Sequence, residues 1–303
     1  MMHPMKDSFV LSRLLAGMLA LAAGPAMGVA AEVFELGEAN FDERPRGKEA
    51  DGIVGDFVMR NDKVTLLVSG NLPQRRANMS TFYGENGITP GCLYDLTLLG
   101  ADNDQITIFS PSGQQGPVNY VRIVSDGTDG EAFLETVVSS AKSGALAKRH
   151  EYRLKDGWQG VLIVTTIINE SDAAVKVPLA DRWTPTRTKG SFYGVNWSDS
   201  IDPADKAGYA HAWVAETGAA IPDKAEVELA PAASLTVARF LAVGGSPAEA
   251  AGVIEARRSP ETVSTLPGIF GMVRWFSAGN MTSTSSPGAT RSIDCTGTRA
   301  WIR

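Results

Sequence analysis

Residues 148–171, "KRHEYRLKDGWQGVLIVTTIINES", decide the fold. Lys155, Asp156 and Gly157 supply turn chemistry between two extended runs, so the segment predicts a long β-hairpin. Its second arm, "GVLIVTTIIN" (160–169), is apolar on both faces over much of its length, the signature of a central strand covered from both sides.

The same grammar extends outward in both directions. In "GDFVMRNDKVTLLVSGN" (55–71), Phe57 and Met59 alternate with Asp56, Val58 and Arg60, while Val64, Leu66 and Val68 alternate with Lys63, Thr65 and Leu67. Period-two patterning puts one face on a core. Asn61 and Asp62 tolerate positive φ, which predicts a tight turn at "RNDK". Further strands are expected at 92–99, 105–110, 119–125 and 131–140, then in "VKVPLADRW", "YAHAWVAE", "AEVELAP" and "SLTVARFLAVGG", about twelve in all. One short helix closes the series at "SPAEAAGVIEARR" (246–258), with Ser246 as N-cap, Pro247 at the first helical position, Glu249 in the first turn, and Arg257 and Arg258 at the end. The expected class is all-β, a two-layer antiparallel sandwich with one short C-terminal helix.

Compartment is written at the amino terminus. Lys6 and Arg13 precede the apolar run Leu14–Ala23, and small residues follow, offering cleavage after Gly28 or after Ala31. The run is about half the ~20 residues needed to span a bilayer. The expectation is a signal peptide over 1–31 and a secreted or periplasmic mature chain with no membrane span. That leaves roughly 270 residues, the size of one large domain. A β domain is expected over 32–258. Residues 259–303 lose all periodicity and read as a disordered linker or the truncated start of a further domain.

The net charge of −6, with Lys and Arg scattered, argues against nucleic acid, whose phosphates demand a clustered basic face. Cys92 and Cys295 are far apart in sequence, and neither has metal-ligand spacing; an oxidising compartment would permit their pairing. No HxH, HExxH, GxSxG, Walker or EF-hand spacing occurs, so neither metal nor cofactor is expected.

Residues 55–70, 152–183 and 229–256 together resemble the amino-terminal β module that precedes PHP-type metallohydrolases of the CehA/McbA kind. The same module occurs in exported bacterial proteins bearing carboxypeptidase-regulatory-like repeats. The middle segment is similar to the β-supersandwich of galactose mutarotases, in which a strand ending "TxxN" precedes "SD" and another strand. The resemblance implies a supersandwich, and a link to carbohydrate or to a larger exported protein. Two departures limit what it implies about activity. A mutarotase needs a histidine acid and a carboxylate base, and after "TIINESD" this chain offers Arg182 and Trp183 instead. A metallohydrolase domain, with its His and Asp ligands, would lie beyond Arg303.

No catalytic residue can therefore be assigned. His150 and Glu151 are the nearest approach to an acid/base pair, but neighbours on a strand point to opposite faces, and a sheet-surface role is expected for His150. Loop contacts suited to a sugar are Arg76, Asn78 and Tyr83 in "QRRANMSTFYGENG" (74–87), and Arg182, Trp183, Tyr193 and Trp197 in "DRWTPTRTKGSFYGVNW" (181–197). Aromatic faces stack on pyranose rings, and arginine forks hold hydroxyls or acidic groups. His211, on one alternating face with Tyr209 and Trp213, joins them as a packed histidine able to touch a ligand. The resulting expectation is a non-catalytic, carbohydrate-recognising or scaffolding module. Its alternatives are a polysaccharide-acting lyase or epimerase relative using Tyr83, Arg76 and His150, a fragment of a metal-dependent hydrolase, or a purely structural domain.

Overall fold

The computed structural model describes residues 30–77, 87–184, 189–200, 202 and 204–258, with two short pairs at 291–292 and 301–302. Two antiparallel sheets stack face to face. The first holds β1 (Glu32–Glu35), β2 (Phe57–Arg60), β3 (Val64–Val68), β4 (Leu93–Leu98) and β5 (Ile108–Ser110) in order, followed by β11 (Arg182–Thr184). The second is eight-stranded: β12 (Lys189–Phe192), β13 (Val195–Asp199), β14 (Gly208–Trp213), β16 (Ser234–Gly244), β9 (Gly160–Asn169), β8 (Leu146–Lys155), β7 (Glu131–Val138) and β6 (Tyr120–Asp126). A separate ribbon pairs β10 (Val175–Pro178) with β15 (Glu226–Leu229). Residues 291–292 and 301–302 form a two-residue pairing, β17 and β18.

The predicted hairpin is β8–β9, in antiparallel register from Leu146↔Asn169 to Arg153↔Leu162. Its apolar second arm lies in the middle of the wide sheet, between β8 and β16, and is buried on both faces as its composition requires. Val161 and Ile163 face the other sheet, joining Met59, Leu66, Leu96 and Leu241 in the central core. Leu162 and Val164 face outward, with Phe240, Ala242, Ala250 and Ile254, beneath α2 (Pro247–Arg258). That helix starts where its caps predict: Ser246 Oγ accepts the Glu249 N–H at 3.2 Å. Gly208 lets it approach, since a Cβ there would lie 1.9 Å from the Ser246 carbonyl carbon.

The frame at 55–71 forms β2 and β3, but its turn is built differently from the expectation. Neither Asn61 nor Asp62 has positive φ. The Asn61 side-chain oxygen accepts the N–H groups of Lys63 at 2.8 Å and Val64 at 2.9 Å, closing the turn without left-handed backbone. The Asn61 side-chain amide donates to the carbonyls of Lys155 and Trp158, and Asp62 accepts the Gly157 N–H at 2.7 Å. The two hairpin turns therefore clasp each other and tie one sheet to the other. β3 also departs from half-burial: Leu67 is as buried as Leu66, because Leu36, Tyr94 and Cys92 cover the outer face.

Other boundaries shift for local reasons. The strand expected over 105–110 is confined to β5, because the Gln105 N–H donates to the Tyr209 hydroxyl at 2.8 Å and the Ile106 N–H to Asp104 at 3.3 Å. "VKVPLADRW" splits after Pro178 into β10 and β11, which join different sheets. A short helix, α1 (Ser140–Ser143), sits in the β7–β8 connection. Among the described residues, no helix is long and apolar enough to cross a membrane.

Candidate functional site

β14 and β16 bring charged and aromatic side chains to the inner face of the wide sheet where it meets β11. Alternation places Tyr209, His211 and Trp213 on one face of β14, and the register sets Trp213 opposite Arg239. Arg239 interrupts the apolar run of its strand from Val237 to Val243 and is completely buried. A buried guanidinium must be paired and hydrogen-bonded. Its Nε lies 3.1 Å from Asp181 Oδ2, an ionic contact without hydrogen-bond alignment. Nη1 donates to Thr165, Nη2 donates to Ser112 Oγ at 2.9 Å, and the guanidinium carbon sits 4.8 Å from the Trp213 ring centre. Burial pulls the guanidinium below its ordinary pKa, and the Asp181 charge acts against that pull.

Asp181 immediately precedes β11 and is itself enclosed. Its Oδ1 accepts the Ser112 N–H at 2.8 Å, and His211 Nδ1 stands 3.8 Å from its Oδ2. The His211 imidazole meets Phe109 and Trp183 edge to face, with centroids 5.4 and 4.9 Å away. Above this group opens a pocket of about 570 Å³, walled by Trp183 and Trp213, by Ser191 and Asn196 of the β12–β13 hairpin, and by Asp223 and Lys224 of the loop before β15. That size lies in the usual range for a small-ligand site. The pocket combines two indoles with amide, hydroxyl, imidazole and carboxylate groups, a set suited to stacking on and hydrogen-bonding a polar ring.

Of the residues predicted to touch a ligand, Trp183 and His211 line the pocket together. Trp197 is turned the other way, packing beside Gly190 with the outer cluster beneath α2. Tyr193 is exposed at the β12–β13 turn, where its carbonyl accepts from Arg258. Arg182 points to solvent from β11, and Arg76 is half-buried, its carbonyl accepting from Arg75 at 2.8 Å. Asn78 and Tyr83 lie outside the described residues, as do residues 1–29, where a signal peptide is expected, and Cys295. Cys92 is a free thiol sealed inside the first sheet's outer cluster, and burial pushes its pKa up to about 12.

Sequence reasoning missed Asp181, Arg239 and Asn196. A charge in the middle of "LTVARFLAV" was the available signal, because an arginine is almost never fully buried unless paired. His150 requires a correction. It faces inward and is fully buried, with Nδ1 3.0 Å from Thr165 Oγ1, because β8 lies near the centre of the wide sheet and its even positions point into the sandwich. Glu151 does project to the opposite face, where it pairs with Arg149 and Arg153. Burial, then the nearby Arg239 and Lys148 cations, hold the His150 imidazole well below its usual pKa.

A second buried polar group lies near the far end of Tyr209. Asp104 Oδ1 accepts the Leu96 N–H at 2.8 Å while Oδ2 is buried without a hydrogen bond, and Asp95 accepts the Asp51 N–H. Burial raises both carboxyls well above the usual carboxylate range; Asp104 adds to the rise at Asp95, and Glu49 to that at Asp104. Among the described residues, no set of three or more His, Cys, Asp or Glu side chains is placed to hold a metal ion.

No family model matches the chain, and no curated protein matches it. Solved structures align at low identity. A TPR-domain containing protein from Parabacteroides distasonis is 10% identical over 63% of this chain and 47% of its own, with a TM-score of 0.42. Heparan sulfate lyase HepC from Pedobacter heparinus is 7% identical over 62% of this chain and 35% of its own, with a TM-score of 0.40. A protein described as an aldose 1-epimerase from Klebsiella pneumoniae is 13% identical over 68% of this chain and 84% of its own, with a TM-score of 0.38. The chain thus spans less than half the length of the first two.

Proposed function

We propose that the chain is an exported, non-catalytic module that recognises carbohydrate in the pocket between β11 and β14. One observation carries this reading: Trp183 and Trp213 flank an open cavity of about 570 Å³ whose remaining lining includes Ser191, Asn196 and His211. Indoles stack on the apolar faces of sugar rings, and the polar side chains fix orientation. The leader-like amino terminus and the resemblance of 152–183 to supersandwich modules of exported proteins support the same reading.

The test is a glycan array on the mature chain, repeated with Trp213→Ala. Binding is expected to fall about tenfold or more in the variant, the scale of a lost stacking contact. Failure of the wild type to retain any glycan overturns the proposal. N-terminal sequencing of exported protein should begin at Val29 or Glu32; an uncleaved amino terminus on exported protein would overturn leader removal.

One observation favours a second reading, an enzyme acting on saccharides: His211 Nδ1 and Asp181 Oδ2 converge to 3.8 Å beside the pocket. A histidine oriented by a carboxylate is the usual apparatus for moving a proton. Chemical change of a bound glycan, followed by NMR, would select this reading over simple recognition.

A further inference from the structure

Ala31 is held on every side where the chain enters the fold. It is 1% exposed and belongs to the central core with Ala132, Leu134 and Leu154. Its N–H donates to Asp156 Oδ1 at 2.5 Å, across 125 residues of chain. Its carbonyl lies against Gly127 in the β6–β7 turn: a Cβ on that glycine would sit 1.8 Å from the Ala31 oxygen and 2.9 Å from the Glu32 Cα, so the approach requires a residue without a side chain. Glu32 then opens β1 opposite Arg60, and the two side chains form an ion pair. Ala31 thus joins the first sheet to two turns of the wide one, completing the clasp that Asn61 and Asp62 make with the β8–β9 turn. Ala30, one residue earlier, is exposed.

The two cleavage sites offered by the sequence have different consequences for this geometry. Cleavage after Ala31 removes a buried core residue, takes from Asp156 its amide donor, and turns the Glu32 nitrogen into an ammonium between two atoms that Gly127 already crowds. Cleavage after Gly28 keeps Ala31, and the new ammonium lies upstream of the residue at which the chain becomes buried. We propose that hydrolysis of the Gly28–Val29 bond releases the leader, so that the mature chain begins at Val29 and keeps Ala31 as its first buried residue, anchored by Asp156. Ala26 and Gly28, third and first before that bond, are the small residues such a site needs. The cleavage position rests on the export reading above; the anchoring of Ala31 by Asp156 does not.

The experiment exports the full chain and reads the processed protein by amino-terminal sequencing and intact mass. Val29 is the expected first residue; processing to Glu32, or at any other bond, overturns the site. Chains beginning at Val29 and at Glu32 are then compared by chemical denaturation. The shorter chain should have a folded-to-unfolded ratio lower by about tenfold or more, the combined effect of lost burial and a lost hydrogen bond to a carboxylate. Asp156→Ala should lower the ratio about threefold or more in the longer chain and leave the shorter one unchanged, because the shorter chain has no Ala31 amide to lose. Should the shorter chain fail to fold, the longer one decides alone: Asp156→Asn, which keeps an acceptor oxygen, should recover most of what Asp156→Ala loses. Equal stability of the two chains, an Asp156→Ala effect of the same size in both, or an Asp156→Asn loss as large as that of Asp156→Ala overturns the anchoring. An unprocessed terminus on exported protein defeats the leader reading and its cleavage site, while denaturation still decides the role of Ala31.

Discussion

Arg75 and Asp56, 19 residues apart in sequence, form a two-pronged ion pair inside the protein: Nε reaches Oδ1 at 3.1 Å and Nη2 reaches Oδ2 at 2.6 Å. The Arg75 guanidinium also donates to the carbonyls of Asp51 and Arg76 and lies 4.5 Å from the centre of the Tyr94 ring. An arginine in a polar loop next to predicted ligand contacts is thus a brace that folds the loop back on β2. Arg75→Met should destabilise the protein by about 3–5 kcal/mol, because it strands Asp56 as a buried charge. Chemical denaturation measures the loss; a change below about 1 kcal/mol would show that the brace is dispensable.

Two sets of buried groups should tilt stability with pH in opposite directions. Asp95 and Asp104 have raised pKa values in the folded state, so they hold protons that the unfolded chain has already released. Stability therefore declines as pH rises from the ordinary carboxylate range toward the raised values, by about 1.4 kcal/mol for each unit of displacement. His150 acts at the other end: its folded pKa is lowered, so the unfolded chain takes up a proton first and stability declines as pH falls below about 6.5. Asp104→Asn keeps an acceptor for the Leu96 and Ile106 N–H groups and places an uncharged amide where the proton sat, so it should flatten only the decline with rising pH. Denaturation midpoints from pH 4 to 9 measure both trends, and an unchanged decline with rising pH in the variant would assign that slope to other groups.

Gly208→Ala should loosen α2 from the wide sheet. The added methyl would sit 2.0 Å from the Pro247 nitrogen and 1.9 Å from the Ser246 carbonyl carbon, both backbone atoms that cannot step aside alone. A cost of about 1–3 kcal/mol is expected, concentrated in the helix. Hydrogen exchange should show faster amides over 250–258 than in β8–β9; uniform exchange would mean that the helix start tolerates the shift.

The hairpin and the layer order were legible because they depend on periodicity. A doubly apolar "GVLIVTTIIN" can only be a covered strand, and Ser246-Pro247 can only open a helix in that setting. The pocket was half legible for the same reason: alternation grouped Tyr209, His211 and Trp213 before any coordinates did. Asp181 and Arg239 were hidden because they lie 58 residues apart and meet only once β11 has crossed to the other sheet. Trp197 misled for a simpler cause, since one step along β13 separates the pocket wall at Asn196 from the helix-covered face. The turn at Asn61 was placed correctly, but its hydrogen bonds run to a partner turn almost a hundred residues on, which no local pattern announces.

α2 ends at Arg258, whose guanidinium donates to the carbonyls of Tyr193, Gly194 and Trp213. Those carbonyls belong to the hairpin and the strand that wall the pocket. A pull on this end of α2 would thus reach first the hairpin and the strand that shape the pocket, so the helix end and the pocket wall are mechanically coupled.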